Sequence, residues 1–160
     1  MELKTLRLRQ RVDTRTTLYD NTFIIPTFTE ILDLVEQNYI ASDGHLTGVY
    51  AELKNPAATN TMFNVSMEHM VLEELEAHGY ATKDVSQDLR LVQPVLLQCK
   101  EADSLRTLRT LTDIPLQQLM NSNYVWSDAQ LDEFAVYAQG VGPDKSFFYG
   151  AGVELEEARR

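Results

Sequence analysis

The sequence predicts an α/β fold built on parallel strands, and two observations carry that expectation. From residue 26 onward, segments with helically spaced apolar residues alternate with short extended segments. The extended segments carry Val, Leu and Ala with little polarity, as strands covered on both faces do. The chain has no Gly-x-Gly-x-x-Gly and no phosphate loop, so a nucleotide-binding sheet has no support. Doubly wound sheets and eight-stranded barrels both fit the alternation.

The elements follow in order. Pro26-Thr27-Phe28-Thr29-Glu30 opens a helix, with Thr27 as cap and Glu30 completing a capping box. Phe28, Ile31, Leu34 and Val35 then recur at helical spacing. Residues 38–47 form a polar connection containing Asp43-Gly44. Val49-Tyr50-Ala51-Glu52-Leu53-Lys54-Asn55-Pro56 is an apolar strand that ends in a carboxylate and an amine and breaks at a proline. Alternation puts Val49, Ala51 and Leu53 on one face, and Tyr50, Glu52 and Lys54 on the other. Glu52 and Lys54 stand roughly 6 to 7 Å apart along the strand. One can hold a cation while the other faces the anion that the cation binds.

A second helix is expected over residues 62–78, with Met67, Met70, Val71 and Leu75 inward and Gly79 as its stop. Residues 93–99 read as a strand, with Pro94 at its start, where a missing donor is tolerated. A short helix is expected over Ala102–Leu111, then a strand over residues 115–120. Ser127 or Asp128 caps a helix running to about Ala138, and Gly140-Val141-Gly142-Pro143 is a short strand and turn.

The totals bound the function. At 160 residues the chain is long enough for one domain with a real core, and 44 % apolar with 24 % charged residues is ordinary for a globular protein. A net charge of −10 argues against a nucleic-acid partner. Lys4, Arg7, Arg9, Arg11 and Arg15 cluster early, as an anion-attracting patch or a solvated or interface segment. A single cysteine, Cys99, allows no internal disulfide. No apolar run approaches the ~20 residues of a membrane span. Charges interrupt the first residues, which do not read as a secretory signal, and the compartment stays open.

Several blocks resemble the glycerophosphodiester phosphodiesterases. Leu3-Lys4-Thr5-Leu6-Arg7-Leu8-Arg9-Gln10-Arg11 resembles the connector ahead of that family's middle strands, and Ile25-Pro26-Thr27-Phe28-Thr29-Glu30-Ile31 its helix start. Tyr50-Ala51-Glu52-Leu53-Lys54-Asn55-Pro56 resembles its Y-x-E-[IL]-K-x-P strand, and residues 72–80 the helix ending in Gly-Tyr. Leu96-Leu97-Gln98-Cys99, Ser104-Leu105-Arg106-Thr107-Leu108, Pro115-Leu116-Gln117-Gln118-Leu119 and residues 137–145 match later blocks in order. The resemblance implies the middle portion of a TIM-type (β/α) barrel, incomplete here because such a barrel takes about 250 residues. It divides the chain into a connector at 1–25, a partial barrel at 26–146 and a divergent charged tail at 147–160.

The resemblance also implies metal-assisted hydrolysis of a glycerophosphodiester substrate to glycerol 3-phosphate and an alcohol, with Ca²⁺ or Mg²⁺ as cofactor. Glu52 corresponds to a ligand of the divalent cation, Lys54 to a lysine that contacts phosphate, and Gln98 to a pocket residue able to bind a glycerol hydroxyl. The alternatives are an ion pair of Glu52 with Lys54 or a neighbour, a surface lysine, and a buried structural amide. Lys100 departs from the family, which usually carries an aromatic there.

The family's His-Arg-Gly strand, Glu-x-Asp pair and His-Asp turn supply its acid/base histidines and two of three metal carboxylates. His-Arg-Gly and His-Asp do not occur in these 160 residues, and His45, His69 and His78 match no catalytic position. The expectation is a chain inactive alone that does not retain the cation: a fragment, a shortened isoform, or an interaction module that self-associates through open sheet edges. Cys99 reads as a small core residue, and Tyr124 and Trp126 as a pocket rim or a cap on the core.

Overall fold

The computed structural model describes residues 2–84, 94–121 and 127–145. Gln93, Tyr124, Trp126 and the charged tail at 147–160 lie outside the described residues. The chain divides into two compact units, Met1–Gly44 and His45–Arg160.

In the first unit, a 3-10 turn at Glu2–Thr5 leads into a loop closed by an antiparallel bridge between Arg7 and Ile24. Leu8 N donates to Phe23 O at 2.8 Å, and Asn21 N donates to Leu8 O at 2.9 Å. Helix α1 (Phe28–Ala41) begins at the expected capping box of Thr27 and Glu30. Its buried residues are Leu32 and Val35, whereas Ile31 and Leu34 face outward, so the apolar stripe is rotated from the expected one. The early basic cluster is partly spent within this unit. Lys4 binds both the Glu30 carboxylate and Ile25 O. That ammonium, followed by the Thr27 backbone N–H, holds the Glu30 carboxyl below its ordinary range.

The second unit carries the sheet: β1 (Val49–Leu53), β2 (Val95–Cys99), β3 (Leu116–Leu119) and β4 (Gly140–Gly142). All three pairings are parallel, and the spatial order is β1-β2-β3-β4. That order separates the two architectures the alternation allowed. A doubly wound sheet reverses its strand order at a switch point. A barrel keeps the order of the chain, as here. The four strands form one arc of an incomplete TIM-type barrel.

Helices connect the strands. An unexpected helix, α2 (Pro56–Phe63), precedes the helix expected at 62–78, which is α3 (Met67–Ala77) and starts five residues later than expected. Asn64, left-handed at φ 53°, ends the first, and Ser66 caps the second by accepting from His69 N. Asn tolerates that conformation better than most residues, a turn signal that an apolar pattern does not register. Leu72 and Leu75 are buried, whereas Met70 is exposed. Gly79 follows α3 with φ +77°, as a helix stop requires.

Helix α4 (Ala102–Leu111) packs on β2 and β3 beside α3, and α5 (Asp128–Ala135) packs against β4. Ser127 is the cap of α5, with Gln130 completing a second capping box. Leu97, Leu105, Leu108, Ile114 and Leu116 form the sealed centre, each at most 1 % exposed. Burial of each such side chain contributes about 1.5–3 kcal/mol.

Candidate functional site

The alternation in β1 holds. Val49 and Leu53 are buried on the helix-covered face, while Tyr50, Glu52 and the following Lys54 are exposed. In β2, Val95, Leu97 and Cys99 are buried, and Leu96 and Gln98 lie half-buried on the other face. The register sets Glu52 opposite Gln98, Gln98 opposite Gln117, and Gln117 opposite Gly140. One row of the open face therefore reads Glu52, Gln98, Gln117, Gly140 across four strands, each step about 4.8 Å. In a barrel this face lines the interior; Glu52 and Gln98 stand toward the C-terminal ends of β1 and β2, where barrel sites form, whereas Gln117 and Gly140 lie at the starts of β3 and β4.

The side chains of Glu52, Lys54 and Gln98 make no hydrogen bond or ion pair with any described residue. The residues around them are tied down. The Tyr50 hydroxyl donates to Gln117 Oε1 across β2, and burial pushes its phenol up from its ordinary value. Sequence reasoning placed Tyr50 on the correct face but missed this bond. A tyrosine two residues before a strand-end carboxylate was the available signal.

Two further groups fix the mouth of the sheet. Cys99 is fully buried; its thiol donates to Leu53 O at 3.1 Å and accepts from Glu101 N at 3.3 Å. Burial first, with a smaller contribution from the Glu101 and Glu68 charges, raises the thiol above its usual value, as suits a core residue. Gln118, also buried, donates from Nε2 to Cys99 O, Lys100 O and Leu119 O at 3.4, 3.1 and 2.9 Å. Its Oε1 accepts from the Tyr137 hydroxyl at 2.9 Å. Cys99 takes the core position read from the sequence, whereas the bonds of Gln118 were not legible there, because they depend on partners from other segments.

The histidines stand away from this row. His45 is exposed ahead of β1, His69 Nδ1 lies 3.0 Å from Ser66 Oγ, and His78 Nδ1 lies 2.8 Å from Glu74 O. Among the described residues, no three His, Cys, Asp or Glu side chains converge as a metal site. No described helix is long and apolar enough to cross a membrane.

Comparison with known proteins fits this arrangement. The chain is 34 % identical over 161 aligned residues to glycerophosphodiester phosphodiesterase GDPD6 of Arabidopsis thaliana, covering 90 % of this chain. The chain is a relative of the glycerophosphodiester phosphodiesterases. It spans 41 % of the length of that relative. No protein-family model matches the chain. The parallel, chain-ordered sheet is the arc of a barrel expected for a glycerophosphodiester phosphodiesterase relative.

Proposed function

We propose that this chain supplies one side of the metal and phosphate site of a glycerophosphodiester phosphodiesterase. In this reading Glu52 is a carboxylate ligand of a divalent cation, Ca²⁺ or Mg²⁺. Lys54 faces the phosphoryl oxygens, and Gln98 binds a glycerol hydroxyl. The reaction is hydrolysis of a glycerophosphodiester to glycerol 3-phosphate and an alcohol, a step of lipid and glycerol metabolism. The observation that carries the reading is Glu52 itself: a carboxylate on the open face with no ion-pair partner among the described residues, in register with Gln98. The name of the Arabidopsis relative supports the substrate class.

The donor set falls short of the cation. A hard cation takes about six oxygens, and Glu52 supplies two at most. The described residues therefore do not complete such a site by themselves. What they do is place charge and shape. Lys54 sets an ammonium where phosphoryl oxygens gather charge. Gln98 presents an amide one strand away, and the bond between Tyr50 and Gln117 braces the floor below.

Without a histidine on any described strand, the 160 residues alone are expected to show no turnover. Release of glycerol 3-phosphate from glycerophosphocholine, assayed with added Ca²⁺ or Mg²⁺, should stay at the buffer level. Metal-dependent release that disappears in Glu52→Gln would overturn that expectation. For the site itself, titration with glycerophosphocholine and Ca²⁺ should move the amide resonances of Glu52, Lys54 and Gln98. Shifts confined to other elements would sink the assignment.

One observation favours a second reading, an interaction module without catalysis. Among the described residues β1 pairs only with β2, and β4 only with β3. Unpaired backbone groups along β1 can template another strand, so self-association is expected. A compact monomer at every concentration in sedimentation would retire it.

A further inference from the structure

Lys54 and Lys100 directly follow Leu53 and Cys99, which are partners in the β1–β2 ladder. Each side chain is exposed, and neither makes a hydrogen bond or ion pair with a described residue. Two ammonium-bearing residues thus stand just past neighbouring strand ends, each next to a member of a ladder pair about 4.8 Å across.

Their spacing is held from both sides. Below, the ladder joins Leu53 to Cys99, and the Cys99 thiol donates to Leu53 O at 3.1 Å. Above, Ala57 N donates to Glu101 Oε2 at 3.1 Å, tying the segment after Lys54 to the residue after Lys100. Behind, Gln118 Nε2 holds Lys100 O at 3.1 Å.

Like charges on neighbouring strands are unfavourable. A counter-ion was not scarce, since the chain has 24 acidic residues against 14 basic ones. The two carboxylates nearest in sequence do not neutralise the pair. Glu52 makes no ion pair among the described residues, and Glu101 is bonded to Ala57 N. A pair of cations on tied strand ends, without an anion among the described residues, suits an anion from outside.

We infer that Lys100 is a specificity-determining residue, paired with Lys54 to take a second anionic group, so that this site prefers glycerophosphodiesters whose head group carries its own phosphate. The assignment deepens the reading of the site proposed above and rests on it for the diester. Lys54 meets the diester phosphate, and Lys100, one strand over, meets the extra phosphate on the head group. A cationic head group such as choline brings its positive charge toward Lys100 and is disfavoured there.

The test is calorimetric titration of the 160-residue chain with glycerophosphocholine, glycerophosphoinositol 4-phosphate and pyrophosphate, for the wild type, Lys100→Gln and Lys54→Gln. Both variants change exposed side chains, and circular dichroism checks that they fold. The wild type should prefer the inositol phosphate over the choline diester about tenfold, the worth of one charge-assisted hydrogen bond near solvent. In Lys100→Gln the ratio should fall to about one, while Lys54→Gln weakens both diesters. A ratio unchanged by Lys100→Gln overturns the inference and leaves the site reading intact. Pyrophosphate bound through Lys100 with neither diester bound overturns the site reading and the head-group assignment, leaving a bare anion site. No binding of any of the three overturns the ammonium pair as a site.

Discussion

On the helix-covered face of the sheet, Leu97, Cys99 and Leu116 are sealed from solvent. On the opposite face of the same strands, Tyr50 and Glu52 are exposed and Glu52, Gln98 and Gln117 form a polar row. Successive residues thus take opposite duties, and the two-residue period of a strand is the whole reason. The covered face is where apolar burial holds the arc together. The open face contributes little to that, which frees its side chains for a ligand. Even the buried polar side chain Gln118 obeys the division, because it spends its donors on backbone carbonyls at the strand ends.

The sharpest way to break this contrast is Leu97→Ala. It removes a fully buried side chain and should cost about 2–5 kcal/mol in urea denaturation. A cost below about 1 kcal/mol would mean that the covered face is not the core.

Ser104→Ala probes a polar lock within the covered layer. The Ser104 hydroxyl donates to Glu68 Oε1 at 2.5 Å, and Ser66 donates to Oε2 at 2.7 Å, joining α4 to the start of α3. Burial works against ionisation of Glu68, but these hydroxyls outweigh it and hold the carboxyl below its ordinary value. A depressed carboxyl contributes stability above its unfolded pKa of about 4.3, and that contribution fades as pH falls through the folded value. Ser104→Ala should therefore cost about 1 kcal/mol near neutrality, a figure already reduced for the partial exposure of Glu68. The gap from the wild type should narrow below about pH 4. Urea midpoints across that range decide it, and a gap that widens toward acid would reverse the assignment.

Glu52→Gln should have the smallest effect, within about 0.5 kcal/mol of the wild type in the same denaturation experiment. A loss above about 1 kcal/mol would make Glu52 a structural residue and remove the main support for a ligand role.

Particular residues mark how far the sequence could be read. The capping box at Thr27 was visible because it rests on residue types at fixed spacing, whereas the cap of α5 was narrowed only to Ser127 or Asp128. Helix α4 was legible for its full length, since its apolar residues recur without interruption. The break at Asn64 was not, because left-handed backbone at an asparagine is a local choice that helical periodicity does not encode. The inward stripe of α1 was misread at Ile31 and Leu34, since neighbouring apolar positions compete and only packing selects among them. In the candidate site, Glu52, Lys54 and Gln98 came from residue pattern and family resemblance, whereas the roles of Tyr50, Gln117 and Gln118 came only from their partners.

The amino-acid order alone set the alternation of helix and strand, and within each strand which side chains share a face, because both follow from backbone periods that span a few residues. It left open whether the strands would lie in chain order, whether Glu52 would be matched with Gln98, and whether Lys54 and Lys100 would follow partnered residues. Those are facts of pairing between segments distant in the chain, and only the assembled ladder of backbone hydrogen bonds could decide them.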